Sequence, residues 1–117
     1  MNILSFPKKL RLLKTNDFKQ VFKNAYKVQN KEIIIFGNPN DLLYPRLGIS
    51  ITKKKIKYAY LRNKIKRLIK EYFRLSQNFL IKMDFLVVVK KNILINDKKL
   101  FIKKIHTLWK RYYQFHK

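Results

Sequence analysis

Residues 46–74 read RLGISITKKKIKYAYLRNKIKRLIKEYFR, and the hydrophobic rhythm changes once within them. Through Arg46–Thr52 the apolar Leu47, Ile49 and Ile51 alternate with smaller or polar residues, the two-residue repeat of a strand. From about Tyr58 to Leu75 the repeat lengthens. Leu61, Ile65, Leu68, Ile69, Tyr72 and Phe73 fall on one arc of a helical projection at about 100° per residue. A strand that feeds an amphipathic helix buries the helix's stripe on its own sheet, so this stretch points to a mixed α+β fold.

The flanks extend the pattern. Upstream, Thr15 or Asn16 is placed to cap a helix over roughly Asp17–Lys27, in which Phe18, Val21, Phe22 and Ala25 recur at i, i+3, i+4 and i+7. Glu32–Gly37 (EIIIFG) is a β-branched run closed by the turn-rich Asn38-Pro39-Asn40-Asp41, and it is expected to lie antiparallel beside the 46–52 strand. Downstream, Met83–Val89 (MDFLVVV) reads as a buried strand. Asn96 or Asp97 then caps a last helix with Phe101, Ile105, Leu108, Trp109 and Tyr112 at helical spacing. The order α-β-β-α-β-α, without repeat or linker, predicts one domain over residues 1–117 with helices packed on a small sheet, and a basic tail over 110–117 that frays.

Composition restricts the function classes. With 47% hydrophobic residues, including nine Phe and seven Tyr, a chain of 117 residues can fill one core. Lys and Arg total 29 against six Asp and Glu, a formal charge of +23 that calls for a polyanionic partner. The absence of cysteine excludes disulfides, thiolate nucleophiles and thiolate-bound metals. Met1–Phe6 is too short an apolar stretch for a signal peptide, and Phe85–Val89 is too short to span a bilayer, so a cytoplasmic protein is expected. No protein active site emerges. The acids are scattered, His106 and His116 have no companion ligand, and two glycines are too few for a phosphate-cradling loop.

Placement of charge is more informative than its amount. On the middle helix Arg62, Asn63, Lys66, Arg67, Lys70 and Arg74 occupy the arc opposite the apolar stripe, and Thr52-Lys53-Lys54-Lys55 adds cations at its entrance. A plainly solvated helix face usually interleaves acids, and here only Glu71 does so. Such a row suits a phosphate backbone: each neutralised phosphate releases counterions, arginine forks bond two oxygens at once, and an amide can read a base edge or a 2′-hydroxyl. Structured RNA is the expected partner. Anionic lipid is disfavoured because the apolar stripe is needed to cover the sheet.

The strand with its basic connector, Arg46-Leu47-Gly48-Ile49-Ser50-Ile51-Thr52-Lys53-Lys54, and the helix Leu61-Arg62-Asn63-Lys64-Ile65-Lys66-Arg67-Leu68-Ile69-Lys70-Glu71-Tyr72-Phe73-Arg74 resemble the strand and "RNR" helix of the bacterial ribonuclease P protein family. Leu12 through Lys23 and Asp84–Val89 extend the resemblance toward both ends. It implies an α+β sandwich of order α-β-β-β-α-β-α with a left-handed βαβ crossover. The strand beyond those read from the pattern would then be a division of the central segment.

The resemblance also implies a function. The chain would be the protein subunit of an endoribonuclease that removes the 5′ leader from precursor tRNA, with cleavage carried out by the catalytic RNA and its Mg2+. The protein would bind no cofactor, carry no catalytic residue and need no protein partner. RNA-subunit contacts carry over to Arg62, Asn63, Lys64, Lys66, Arg67, Lys70 and Arg74. A leader-binding cleft carries over to Phe18, Phe22, Phe36, Ser50, Lys53 and Lys54. The i, i+4 spacing of Phe18 and Phe22 fits core positions as well as stacking platforms. Lys64 stands where the family usually has arginine, keeping charge without the fork, and Phe36 stands where tyrosine is common. The competing reading is a structural RNA-binding protein such as a ribosomal protein, which would lack the pairing of an RNR-type face with an aromatic cleft.

Overall fold

A computed structural model describes residues 26–40, 42, 44–90 and 98–113. Within them run β1 (Tyr26–Gln29), β2 (Ile33–Pro39), β3 (Arg46–Ser50), α1 (Ala59–Ser76), β4 (Met83–Val89) and α2 (Lys98–Trp109), followed by one 3-10 turn, Lys110–Tyr112. The expected helix before residue 26, with Phe18 and Phe22, lies outside the described residues. So do the Asn96 or Asp97 cap and residues 114–117.

The sheet order is β1-β2-β4-β3. β4 is buried along almost its whole length, and a strand apolar toward both faces belongs in a sheet's interior. It pairs antiparallel with β2 and parallel with β3, so α1 is the crossover of a βαβ unit. The expectation that β2 and β3 are antiparallel neighbours is therefore wrong, because β4 lies between them. The link from β2 to β3 is not a hairpin turn but a loop drawn over the end of β4. The Asn40 amide donates to Asp84 Oδ1 at 2.8 Å and Asn40 Oδ1 accepts from the Leu42 amide at 3.0 Å. Arg46 then forks onto the same carboxylate from the other side, Nε to Oδ1 at 2.8 Å and Nη2 to Oδ2 at 2.6 Å.

The additional strand is β1, not a division of the central segment, and it takes Tyr26 and Lys27 from the end of the helix expected over 17–27. Asn30 explains the change. Its Oδ1 accepts from the amides of Glu32 at 2.9 Å and Ile33 at 2.8 Å, an Asx turn that folds β1 back onto β2.

Both helices pack on one sheet face. Ile65, Ile69 and Phe73 of α1 and Phe101, Ile105, Leu108 and Trp109 of α2 meet Ile33, Ile35, Leu47, Phe85, Val87 and Val89 in one core. Trp109 is 1% exposed, with Phe73 and Phe85 ring centroids 6.1 and 5.5 Å away. The sequence stripe of α1 is thus the buried face, with Leu61, Leu68 and Tyr72 at its half-buried margin.

The tail expected to fray is ordered through residue 113. Tyr112 is buried, its hydroxyl donates to the carbonyls of Ile35 at 3.0 Å and Tyr26 at 3.2 Å, and its own carbonyl accepts from the Ile81 amide at 2.8 Å. Its ring lies over Gly37, where an added Cβ would meet Tyr112 Cε1 at 2.8 Å and Phe85 Cε1 at 3.3 Å. Glycine is required there by close approach.

Two outcomes follow from this anchor. Gly37→Ala should lower the unfolding free energy by about 1–3 kcal/mol in urea titrations, because the ring it displaces is hydrogen-bonded in place. Burial pushes the Tyr112 phenol up to about 12. The folded state therefore favours the neutral form. That contribution is complete below the ordinary phenol value near 10 and is lost as pH rises through about 12. The stability gap between the unsubstituted protein and Tyr112→Phe should accordingly narrow between pH 8 and pH 11.5 in paired denaturation curves.

Candidate nucleic-acid interface

The outward face of α1 follows from its inward one. With Ile65, Ile69 and Phe73 buried, Asn63, Lys64, Arg67 and Lys70 are exposed and Lys66 is half-buried. Residues four apart rise about 6 Å along the axis, so Asn63, Arg67 and Lys70 form a row along the helix.

The seven side chains assigned to this face divide in two. Arg62 is half-buried, and its Nη1 donates to the carbonyls of Ile56 at 2.8 Å and Lys57 at 2.9 Å, tying the connector to the first turns of α1. Arg74 bonds Glu71 through Nη2 at 2.5 Å and Nε at 3.2 Å, and that carboxylate raises the guanidinium's pKa. Asn63, Lys64, Lys66, Arg67 and Lys70 lie between these two tied arginines.

The connector is itself built. The Thr52 carbonyl accepts from the amides of Lys55 at 3.2 Å and Ile56 at 3.0 Å, and Ile56 is only 2% exposed. A buried anchor thus holds a turn whose three lysines, Lys53, Lys54 and Lys55, all face solvent.

Electrostatics sharpen the picture. The described acids are Glu32, Glu71 and Asp84, and each already has a basic partner: Lys104 at 2.6 Å, Arg74 at 2.5 Å and Arg46 at 2.6 Å. The Lys104 hydrogen bond holds the Glu32 carboxyl below its usual range. Among the described residues, then, no acid is left to neutralise Lys64, Lys66, Arg67, Lys70 or the connector lysines. Among the described residues no three His, Asp or Glu side chains gather where a metal could sit.

The second candidate surface is the sheet face turned away from the two helices. Phe36 is opposite Leu86, which is opposite Gly48, while Ser50 is opposite Val88. Since side chains alternate along a strand, Phe36, Leu86, Val88 and Ser50 share that face, with Phe36 and Ser50 diagonal across β4. Phe36 and Val88 are half-buried around the fully buried Leu86. Lys53 and Lys54 follow Ser50 at the end of β3. The structure thus brings Phe36 and Ser50 onto one face, with Lys53 and Lys54 three and four residues beyond Ser50 in the chain, while Phe18 and Phe22 lie outside the described residues. Sequence reasoning missed Lys27 and Gln29, which register with Phe36 and Ile34 and so join the same face. The sequence pattern puts Lys27 at the end of a helix and Gln29 in no element, so neither gives a sign of it.

Comparison with known proteins identifies the family. The Ribonuclease P family model matches residues 6–113. The "Ribonuclease P protein component" of Buchnera aphidicola subsp. Baizongia pistaciae is 50% identical over 109 residues, spanning 93% of this chain and 96% of that protein. The RNase P protein of Thermotoga maritima superposes with a TM-score of 0.75 at 32% identity, covering 86% of this chain and 96% of that one. A Staphylococcus aureus RNase P protein mutant gives a TM-score of 0.81 at 28% identity, over 89% and 88% of the two chains. Family match, sequence identity and fold all agree, and the chain belongs to the ribonuclease P protein family, the protein components of an endoribonuclease.

Proposed function

We propose that this chain grips the catalytic RNA of ribonuclease P through the outward face of α1 and holds the single-stranded 5′ leader of precursor tRNA on the opposite sheet face. The observation that carries the reading is the commitment of the acids: every described carboxylate is spent on another cation, so none of the described acids neutralises the α1 row or the connector lysines. Asn63, Lys64, Lys66, Arg67 and Lys70 are the direct contacts, and Arg62 and Arg74 shape the two ends of the row. Phe36 offers a ring for base stacking, with Ser50, Lys53 and Lys54 toward the leader's phosphates, and Phe18 and Phe22 completing the cleft. A ribosomal role is not favoured for a member of this family.

Cleavage of the substrate's phosphodiester bond falls to the catalytic RNA, where Mg2+, when bound, would supply the chemistry. The protein's share is electrostatic and positional. Its cations offset repulsion between leader, tRNA and catalytic RNA, so fewer free divalent ions are needed to bring them together. Working beside its RNA places the protein in the cytoplasm, and among the described residues no helix is long and apolar enough to cross a membrane.

The direct test is cleavage of 5′-labelled precursor tRNA at low Mg2+ by a bacterial ribonuclease P RNA. Added protein should stimulate cleavage, and protein alone should cut nothing; tight RNA binding without stimulation would overturn the reading. Arg67→Ala should weaken RNA binding, reduce the slope of log K against log salt by about 1 and leave the melting temperature unchanged. Arg62→Ala should lower both affinity and melting temperature, because it releases the Ile56 and Lys57 carbonyls.

A further inference from the structure

At the entrance of α1 two tyrosine side chains face solvent. Tyr58, just before the helix, is 54% exposed, and Tyr60 in its first turn is 68% exposed. Neither belongs to the hydrophobic core. Their rings lean on each other with centroids 5.8 Å apart and planes 33° from parallel, and the Lys57 ammonium lies 5.6 Å from the centre of the Tyr58 ring. Tyr60 precedes Asn63 and Lys64 by three and four residues, so it lies in line with the basic row.

These rings do little for the fold, since most of their surface stays in water. A paired aromatic surface with Lys57 over one ring and Lys64 one turn along the helix from the other instead has the composition of a site for a single nucleotide: π faces for a base, ammonium groups for its phosphates. A duplex does not fit, because its base faces are hidden in the stack. We propose that Tyr58 and Tyr60 form a stacking platform for one unpaired nucleotide of the RNA subunit, an addition to the cationic grip of α1. The proposal rests on the reading of α1 as the RNA-subunit face.

The test measures affinity of the full-length chain for a bacterial ribonuclease P RNA transcript across a salt series. The variants are the Tyr58→Leu/Tyr60→Leu double, the Tyr58→Phe/Tyr60→Phe double and Arg67→Ala. Stacking on one base corresponds to roughly a 5- to 150-fold change in affinity, so the leucine double should weaken binding by that order at every salt concentration. Its salt slope should match that of the unsubstituted protein, because no phosphate contact is lost, and its melting temperature should not move. The phenylalanine double should bind normally.

The platform is refuted if the leucine double binds as tightly as the unsubstituted protein while Arg67→Ala weakens binding, an outcome that leaves the α1 interface standing. A shallower salt slope in the leucine double would also refute it, since the rings would then act by arranging lysines. So would a phenylalanine double as weak as the leucine one, which would mean that the hydroxyls bond rather than the rings stack. If Arg67→Ala too binds normally, the α1 interface and the platform fall together.

Discussion

Asp84 interrupts the most apolar strand of the protein, and the bonds it makes determine where much of the chain goes. A parallel strand pair joined by a helical crossover has no tight turn to set its register, and a slip of one residue would turn Leu47 and Ile49 away from the core. The fork of Arg46 on Asp84 removes that freedom, since it closes only where Arg46 stands opposite Asp84. Asn40 takes hold of the same carboxylate and brings the end of β2 to its other side. Removing one member would leave the others short of a partner in a largely desolvated place, so the cluster matters more as a register lock than as net stabilisation. The position of Ser50, the direction of the lysine connector and the starting point of α1 all descend from that register.

The same chemistry separates cations that build from cations that bind. Arg46, Arg62, Arg74 and Lys104 are committed to carboxylates or carbonyls inside the molecule. Among the described residues no carboxylate is bonded to the cations in the middle of α1 or in the connector, and they carry part of the unbalanced charge. The formal +23 therefore opposes folding through self-repulsion until a polyanion arrives. Assembly with RNA removes this penalty and stabilises the folded form by mass action.

Much of this was legible in the residues because it depends on periodicity. The apolar run Phe85–Val89 marked Met83–Val89 as a buried strand, and the spacing of Ile65, Ile69 and Phe73 oriented α1 with its basic arc outward. Pairing was harder. The position of β4 between β2 and β3 is a long-range choice made by Asp84, and β1 went unread because Tyr26 and Lys27 continue a helical repeat until the Asn30 turn overrides it. The tied state of Arg62 and Arg74 was equally hidden, since a helical projection shows which way a side chain points and not which carbonyl or carboxylate it finds.

The seat of Tyr112 against the first hairpin also bears on the order in which the molecule is made. Its hydroxyl bonds the carbonyl of a residue synthesised 77 positions earlier, and its ring covers Gly37 in the same hairpin. At about 5–20 residues per second, the ribosome takes on the order of 4–15 s to add those residues. For that interval β1 and β2 wait without the lid that closes them, and until β4 (Met83–Val89) is made the nascent sheet also has an unpaired edge. Gly37 and Pro39, one lacking a side chain and the other an amide donor, are then what makes that waiting edge a poor template for a foreign strand.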